Sequence, residues 1–222
     1  MNTRYTLTGA LSAGPSPSTI LYYPHVFENS LWRSYVVLFN PSTSQANVAV
    51  RAYDNAGRLL NVYSTTIQPR AKLGAKPTLF NNGVNFVGSL IVESTQGLVG
   101  YLACSNAGGT VSFGYISSPT GSRTINATHV IDTTNWAGYA AIFNPSSSTA
   151  QVTVYVYDTS GNLLNAYSAN IQPYAKLGAT PRTFNRGKYF TGSLVISSNQ
   201  PIVFYFGYSS ASGTMTGCYI TP

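Results

Sequence analysis

The stretch LFNPSTSQANVAVRAYDNAG, Leu38 to Gly57, returns as IFNPSSSTAQVTVYVYDTSG, Ile142 to Gly161, at an offset of 104 residues. Each copy reads as turn, strand, turn. In ANVAVRAY, Val48, Val50 and Ala52 fall on one side; in AQVTVYVY, Val152, Val154 and Val156 point one way and Gln151, Thr153 and Tyr155 the other. A period of two is the mark of a half-buried antiparallel strand. Asn40-Pro41-Ser42 and Asn144-Pro145-Ser146 close the strand before it. Asp54 with Gly57, and Asp158 with Gly161, make the next turn. There the Asp bonds its own backbone and the Gly supplies positive φ.

Carried outward, the same offset aligns residues 19–118 with 123–222 without a gap. Roughly 45 of about 100 positions are identical, which marks an internal duplication. The period is too long for a solenoid unit and suits a small autonomous domain. The Ser/Pro/Gly stretch SSPTGSR, Ser117 to Arg123, separates the copies, and SAGPSPS precedes the first. The chain thus divides into an arm (1–18), a first repeat (19–117), a linker (118–122) and a second repeat (123–222).

Further strands are expected at SYVVLF and GYAAIF, at the runs ending in IQP, at GSLIVES and GSLVISS, at GLVGYLA and PIVFYFG, and at TVSFGYI and TMTGCYI. The segment from Ala71 to Asn85 has room for one helical turn. About seven strands per copy at roughly 8–12-residue spacing predict a β-sandwich or small barrel. The expected fold is all-β: two tandem, similar, seven-stranded antiparallel β-sandwich domains, immunoglobulin-like or jelly-roll-like. The order W…NPS…A.V.V..YD..G…IQP.AK…GSL.V.S resembles the tandem immunoglobulin-like repeats of many secreted or surface bacterial proteins. That family has no agreed activity, so the resemblance implies fold and an extracellular or cell-surface location rather than chemistry.

Only 8% of residues are charged and 44% are hydrophobic. A typical soluble domain has about 25% charged residues. The polar surface must therefore come from Ser, Thr, Asn, Gln and Gly. This profile suits extracellular, virion or self-assembling β proteins. The formal charge is +7, but the basic residues are scattered. Specific nucleic-acid binding needs them gathered into a stripe or motif. No segment is apolar and long enough to span a bilayer. The start, MNTRYTLTGALSAG, makes a poor signal peptide. A virion role would account for that. Within it, Arg4 to Leu11 alternates weakly, as a strand added to a neighbour's sheet edge would, or as a disordered arm. Cys104 and Cys218 fall in unmatched slots, so they are either two free thiols or one bridge between the halves.

The chain has two His and two Trp, and both pairs occupy matched slots, in HVFENSLW and HVIDTTNW. His25, Glu28 and Trp32 thus recur as His129, Asp132 and Trp136. An indole face with a His and a carboxylate beside it could hold a polar ligand such as a sugar. The same residues also suit core packing and turn capping, and duplication alone would preserve them. Lys72 and Lys176 sit in QPRAKLGA and QPYAKLGA, read either as edge lysines facing water or as contacts to a partner subunit. One His and one carboxylate per repeat fall short of a zinc site, and five carboxylates in the whole chain are sparse for calcium. No nucleophile elbow, P-loop or dinucleotide glycine motif is present.

These readings predict a non-enzymatic structural or assembly protein without cofactors, whose partners are its own copies or other surface proteins. The alternative is a bivalent carbohydrate-binding module, two equivalent sites giving avidity.

Overall fold

The computed structural model describes residues 16–109, 112–211 and 216–221, so the arm expected over residues 1–18 lies almost wholly outside the described residues. The chain forms two all-β domains, each a seven-stranded antiparallel arrangement. In domain 1 the strands are β1 (Ser18–Phe27), β2 (Trp32–Phe39), β3 (Ala46–Asp54), β4 (Leu59–Ile67), β5 (Lys72–Ala75), β6 (Val87–Asn106) and β7 (Ser112–Ile116). Domain 2 repeats them as β8 (Ser122–Asp132), β9 (Trp136–Phe143), β10 (Ala150–Asp158), β11 (Leu163–Ile171), β12 (Lys176–Ala179), β13 (Phe190–Ser210) and β14 (Thr216–Thr221). A 3-10 turn at Pro77–Asn81 falls within the segment, Ala71 to Asn85, where a helical turn was expected, and its counterpart in domain 2 is one α-helical turn at Pro181–Phe184.

One difference from the sequence reading organises the whole fold. GSLIVES and GLVGYLA are not two strands but one, β6, and likewise β13. The first part of β6 pairs with β1 and β3, and the second part with β2 and β7. With β4 added beside β3 and β5 beside β2, two layers form that share one long strand. A strand that passes from one sheet to the other turns a corner of a sandwich. β1 and the short β5, neither named as a strand in the sequence reading, bring the count to seven.

The core follows from the alternation. Val48, Val50 and Ala52 of β3 and Val152, Val154 and Val156 of β10 are buried, together with Leu38, Phe80, Leu90 and Leu102 in domain 1 and Ile142, Phe184, Leu194 and Phe206 in domain 2. The repeated turn residues are structural. Asn40 is fully buried; its Nδ2 donates to the carbonyls of Ser44, Ile67 and Gln68 at 2.8, 3.1 and 3.2 Å, and its Oδ1 accepts from Ser42 N and Oγ. Asn144 makes the same set with Ser148, Ile171, Gln172 and Ser146. One side chain thereby ties the end of β2 to the end of β4, satisfying carbonyls that would otherwise be buried without partners. Asp54 Oδ1 accepts from Ala56 N and Arg58 N, and Gly57 follows at φ +85°.

The domains pack directly on one another. Ala141 and Tyr205 of domain 2 belong to the hydrophobic cluster of domain 1, and Tyr53 and Ile91 of domain 1 cluster with Phe143 of domain 2. At the connection, Tyr22 and Ser118 exchange backbone hydrogen bonds of 2.7 and 3.1 Å. Among the described residues no helix is long and apolar enough to cross a membrane.

Candidate functional site

The residues matched in sequence do not share one environment. The Glu28 carboxylate is buried and accepts from Ser34 N at 3.1 Å, closing the β1–β2 turn. Asp132 is fully buried; its Oδ2 accepts from Arg182 N at 3.0 Å and lies 3.1 Å from Arg182 Nε. Trp32 is half-buried, edge-on to Phe27 and Phe113 at 5.9 and 5.8 Å. Trp136 is half-buried against Tyr208 at 5.8 Å. His129 is exposed with its ring edge-on to Tyr208, whereas His25 is buried. Lys72 is exposed, whereas Lys176 is buried. His25 and Lys176 come from different repeats, yet they meet.

Their meeting point is the middle of the domain junction. Lys176 Nζ lies 2.8 Å from His25 Nδ1 and donates to the Gly88 carbonyl at 2.6 Å. The backbone of Lys176 also donates to Asn55 O at 3.1 Å. An ammonium has only donors, so when Lys176 is charged Nδ1 must accept and the imidazole proton sits on Nε2. Three aromatic rings surround the imidazole: Phe27, Tyr139 and Tyr205, with centroids at 5.0, 4.8 and 5.2 Å. Burial pulls the Lys176 amine down from its ordinary value to about 7. Burial first, then the neighbouring amine, holds the His25 imidazole well below its usual range. Both shifts follow from desolvation disfavouring the charged form.

Around this centre the two surfaces fit closely. Tyr53 stacks on Tyr174 at 4.9 Å with the planes 12° apart. The Gly57 turn lies so close to Pro173–Ala175 that an added Cβ would overlap the Pro173 carbonyl oxygen. The Cys218 thiol donates to Gly114 O at 3.1 Å. Cys104 and Cys218 are both free thiols. Burial raises both, Cys218 to about 12, so neither is a ready thiolate.

Tyr139, Tyr174 and Tyr205 were not singled out in the sequence, and Gly57 was read only as a turn residue. A signal existed, since Tyr35/Tyr139 and Tyr101/Tyr205 are matched aromatic pairs. Nothing in the residues said which member of each pair would be covered.

A second paired feature lies elsewhere. Each domain has a shallow open depression between its third, fourth and sixth strands. In domain 2 it includes Thr153, Ser168, Asn170 and Asn199; in domain 1, Ala49, Ser64, Thr66 and Thr95. The two are equivalent under the 104-residue offset. None of the His, carboxylate, Trp or Lys residues named above lines either one. Among the described residues, no group of three or more His, Cys, Asp or Glu is placed to hold a metal ion.

No family model matches this sequence, and none of the curated proteins does. Among solved structures, the chain is similar to the Thermotoga maritima 1070 protein at 16% identity, covering 46% of this chain and 91% of that one with a TM-score of 0.39. It is also similar to a β-glucuronidase of glycoside hydrolase family 2, at 12% identity over 92% of this chain and 24% of that one, TM-score 0.21. A Bacteroides uniformis β-glucuronidase gives 10% identity over 91% and 25%, TM-score 0.17. The chain therefore spans about a quarter of the length of those glucuronidases. These scores are too low to carry any argument about chemistry.

Proposed function

We propose that this chain is a non-enzymatic structural or assembly protein, a subunit of a surface layer, matrix, filament or virion, built from duplicated β-sandwich domains. One observation carries the reading. Of the six matched His, carboxylate and Lys residues on which a polar-ligand or acid–base site would draw, four are engaged in packing instead, with Glu28 and Asp132 holding turns and His25 and Lys176 joining the domains, while His129 and Lys72 stay exposed. A protein that assigns its scarce ionisable groups to junctions is organised around surface-to-surface contact. The resemblance to immunoglobulin-like repeats of bacterial surface proteins supports an extracellular location, and the low charge supports close packing of subunits.

The test is electron microscopy of the purified full chain together with its mass in solution. Regular rings, shells or filaments are expected. A single chain at every concentration sinks the reading.

The paired depressions favour a second reading, a bivalent glycan-binding module. Small hydroxyl and amide side chains at two equivalent places are suited to sugar hydroxyls. A glycan screen against Asn170→Ala and Thr66→Ala tests it: each variant loses one of two sites if the reading holds, and no glycan bound by the parent chain ends it.

A further inference from the structure

We propose, resting on the assembly reading, that domain 1 of one chain docks on domain 2 of a second copy through the same kind of contact that joins the two domains within each chain. The internal junction has two unlike sides. Domain 2 contributes a knob face: Tyr139, Phe143, Lys176 and Tyr205, on β9, β12 and β13. Domain 1 contributes a socket face: His25, Tyr53, the Gly57 turn and the Gly88 carbonyl, on β1, β3 and β6. Because the domains are duplicates, each also carries the face that the junction does not use.

The unused knob on domain 1 keeps the residues. Tyr35, Phe39, Lys72 and Tyr101 are identical to the four knob residues of domain 2. Tyr35 is 47% and Phe39 37% exposed, and Lys72 is also exposed. Tyr35 is already in position, lying over Gly74 as Tyr139 lies over Gly178, whereas the Tyr101 hydroxyl lies over Gly114 and that of Tyr205 over Gly207, so Tyr101 would swing on docking. The unused socket on domain 2 keeps its residues too. His129, Tyr157, Gly161 and Gly192 are identical to His25, Tyr53, Gly57 and Gly88. His129 is exposed, and an added Cβ at Gly161 would meet open space where Gly57 meets the partner domain. The local scaffold also matches, since Tyr219 OH donates to His129 O at 2.8 Å as Tyr115 OH donates to His25 O at 2.6 Å.

One substitution between the faces is compatible with docking. Arg70 stands where Tyr174 stands, with nearly the same left-handed backbone, φ 60° against 59°. Tyr174 stacks on Tyr53; Arg70 would present a planar guanidinium to Tyr157, and guanidinium stacks on aromatic faces. Lys72 would reach His129 Nδ1 and Gly192 O. The contact is heterologous, a knob meeting an unlike socket, so every added chain leaves one of each free. Repetition of such a contact gives a ring if the rotation closes and a filament if it does not.

The experiment is sedimentation of the full chain, of Phe39→Arg (knob) and of His129→Arg (socket), with circular dichroism to check the fold. Tyr35→Arg serves as the knob variant if Phe39→Arg does not fold. The parent chain is expected to sediment as rings or as a concentration-dependent series. Each variant is expected as a single chain. An equimolar mixture is expected to give a dimer and nothing larger, because one intact knob then meets one intact socket while the ends carry opposed arginines. Variants that assemble like the parent overturn this interface while leaving the assembly reading intact. Single-chain variants whose mixture gives no dimer overturn the head-to-tail geometry. A parent chain that stays single at every concentration overturns both.

Discussion

Replacing Lys176 by methionine should remove a specific pH dependence from the stability of the protein. Lys176 is buried at the junction and its amine titrates near 7, against 10.5 for an ordinary lysine. The folded-state value is depressed, so in this interval the unfolded or undocked chain binds the extra proton. Stability therefore rises with pH from about 7 toward 10.5 and is lost as pH falls back through 7. One proton is worth about 1.36 kcal/mol per pH unit. Two other sets of groups bend the curve the opposite way. The thiols and several tyrosines have raised values, Cys218 to about 12, so their contribution is present at low pH and declines once the unfolded thiols ionise near 9. The clean window is pH 7.0 to 8.5. Across it the wild type should gain about 1.5–2 kcal/mol relative to Lys176→Met, since the other groups are common to both proteins. Urea unfolding followed by the fluorescence of Trp32 and Trp136 reads this as a difference between midpoints at the two pH values. The variant's absolute stability does not matter, because only the change with pH is compared. Parallel behaviour of the two proteins from pH 7.0 to 8.5 would mean that Lys176 keeps its proton when folded, and the enclosed junction described here would be refuted.

Two further outcomes follow from local geometry. Asn40→Ala and Asn144→Ala should each cost about 2–4 kcal/mol in urea unfolding, because each removes a buried amide bonded to three carbonyls; Asn40→Asp should be at least as damaging, since a carboxylate cannot donate to them, and a loss below 0.5 kcal/mol typical of surface changes would contradict the clamp. Gly57→Ala and Gly161→Ala should differ although both glycines have positive φ, +85° and +84°. Gly161→Ala should cost only the roughly 1–2 kcal/mol of a left-handed residue, while Gly57→Ala should add about 1–3 kcal/mol from overlap with Pro173; equal losses would argue that the domains do not dock here.

The parts of this fold that can be read from sequence are those whose cause is local. Asn40 and Asp54 act on backbone within their own turn or on the next strand pair, so Asn-Pro-Ser and Asp-x-x-Gly mark real turns. Alternation in β3 and β10 reflects one buried side and one open side. β1 escapes the same test because a second body covers it: from Tyr23 to Phe27 every residue is buried, so no alternation remains to be seen. The continuity of β6 escapes because what changes along it is the partner, not the strand. Gly97 and its neighbours look like a turn, yet the backbone keeps pairing on both sides.

The candidate site was hidden for a further reason. His25 and His129, and Lys72 and Lys176, are identical residues in equivalent slots, and identity implies equal roles only if the environments are equal. In a head-to-tail pair they cannot be. Docking buries the socket of the first domain and the knob of the second and leaves the other two faces in water. A lysine on a short edge strand is ordinarily a guard against pairing, kept charged and solvated. Lys72, exposed on its edge strand, is placed as such a guard would be. Lys176 shows that the same strand, with the same Lys-Leu-Gly-Ala sequence, tolerates enclosure when a carbonyl and an imidazole nitrogen are waiting for the amine. Exposure of Lys72 and His129 is therefore no bar to their enclosure by a second chain. Four identities on each unused face, in a chain where more than half of the aligned positions have diverged, leave both halves of a second junction ready to be joined.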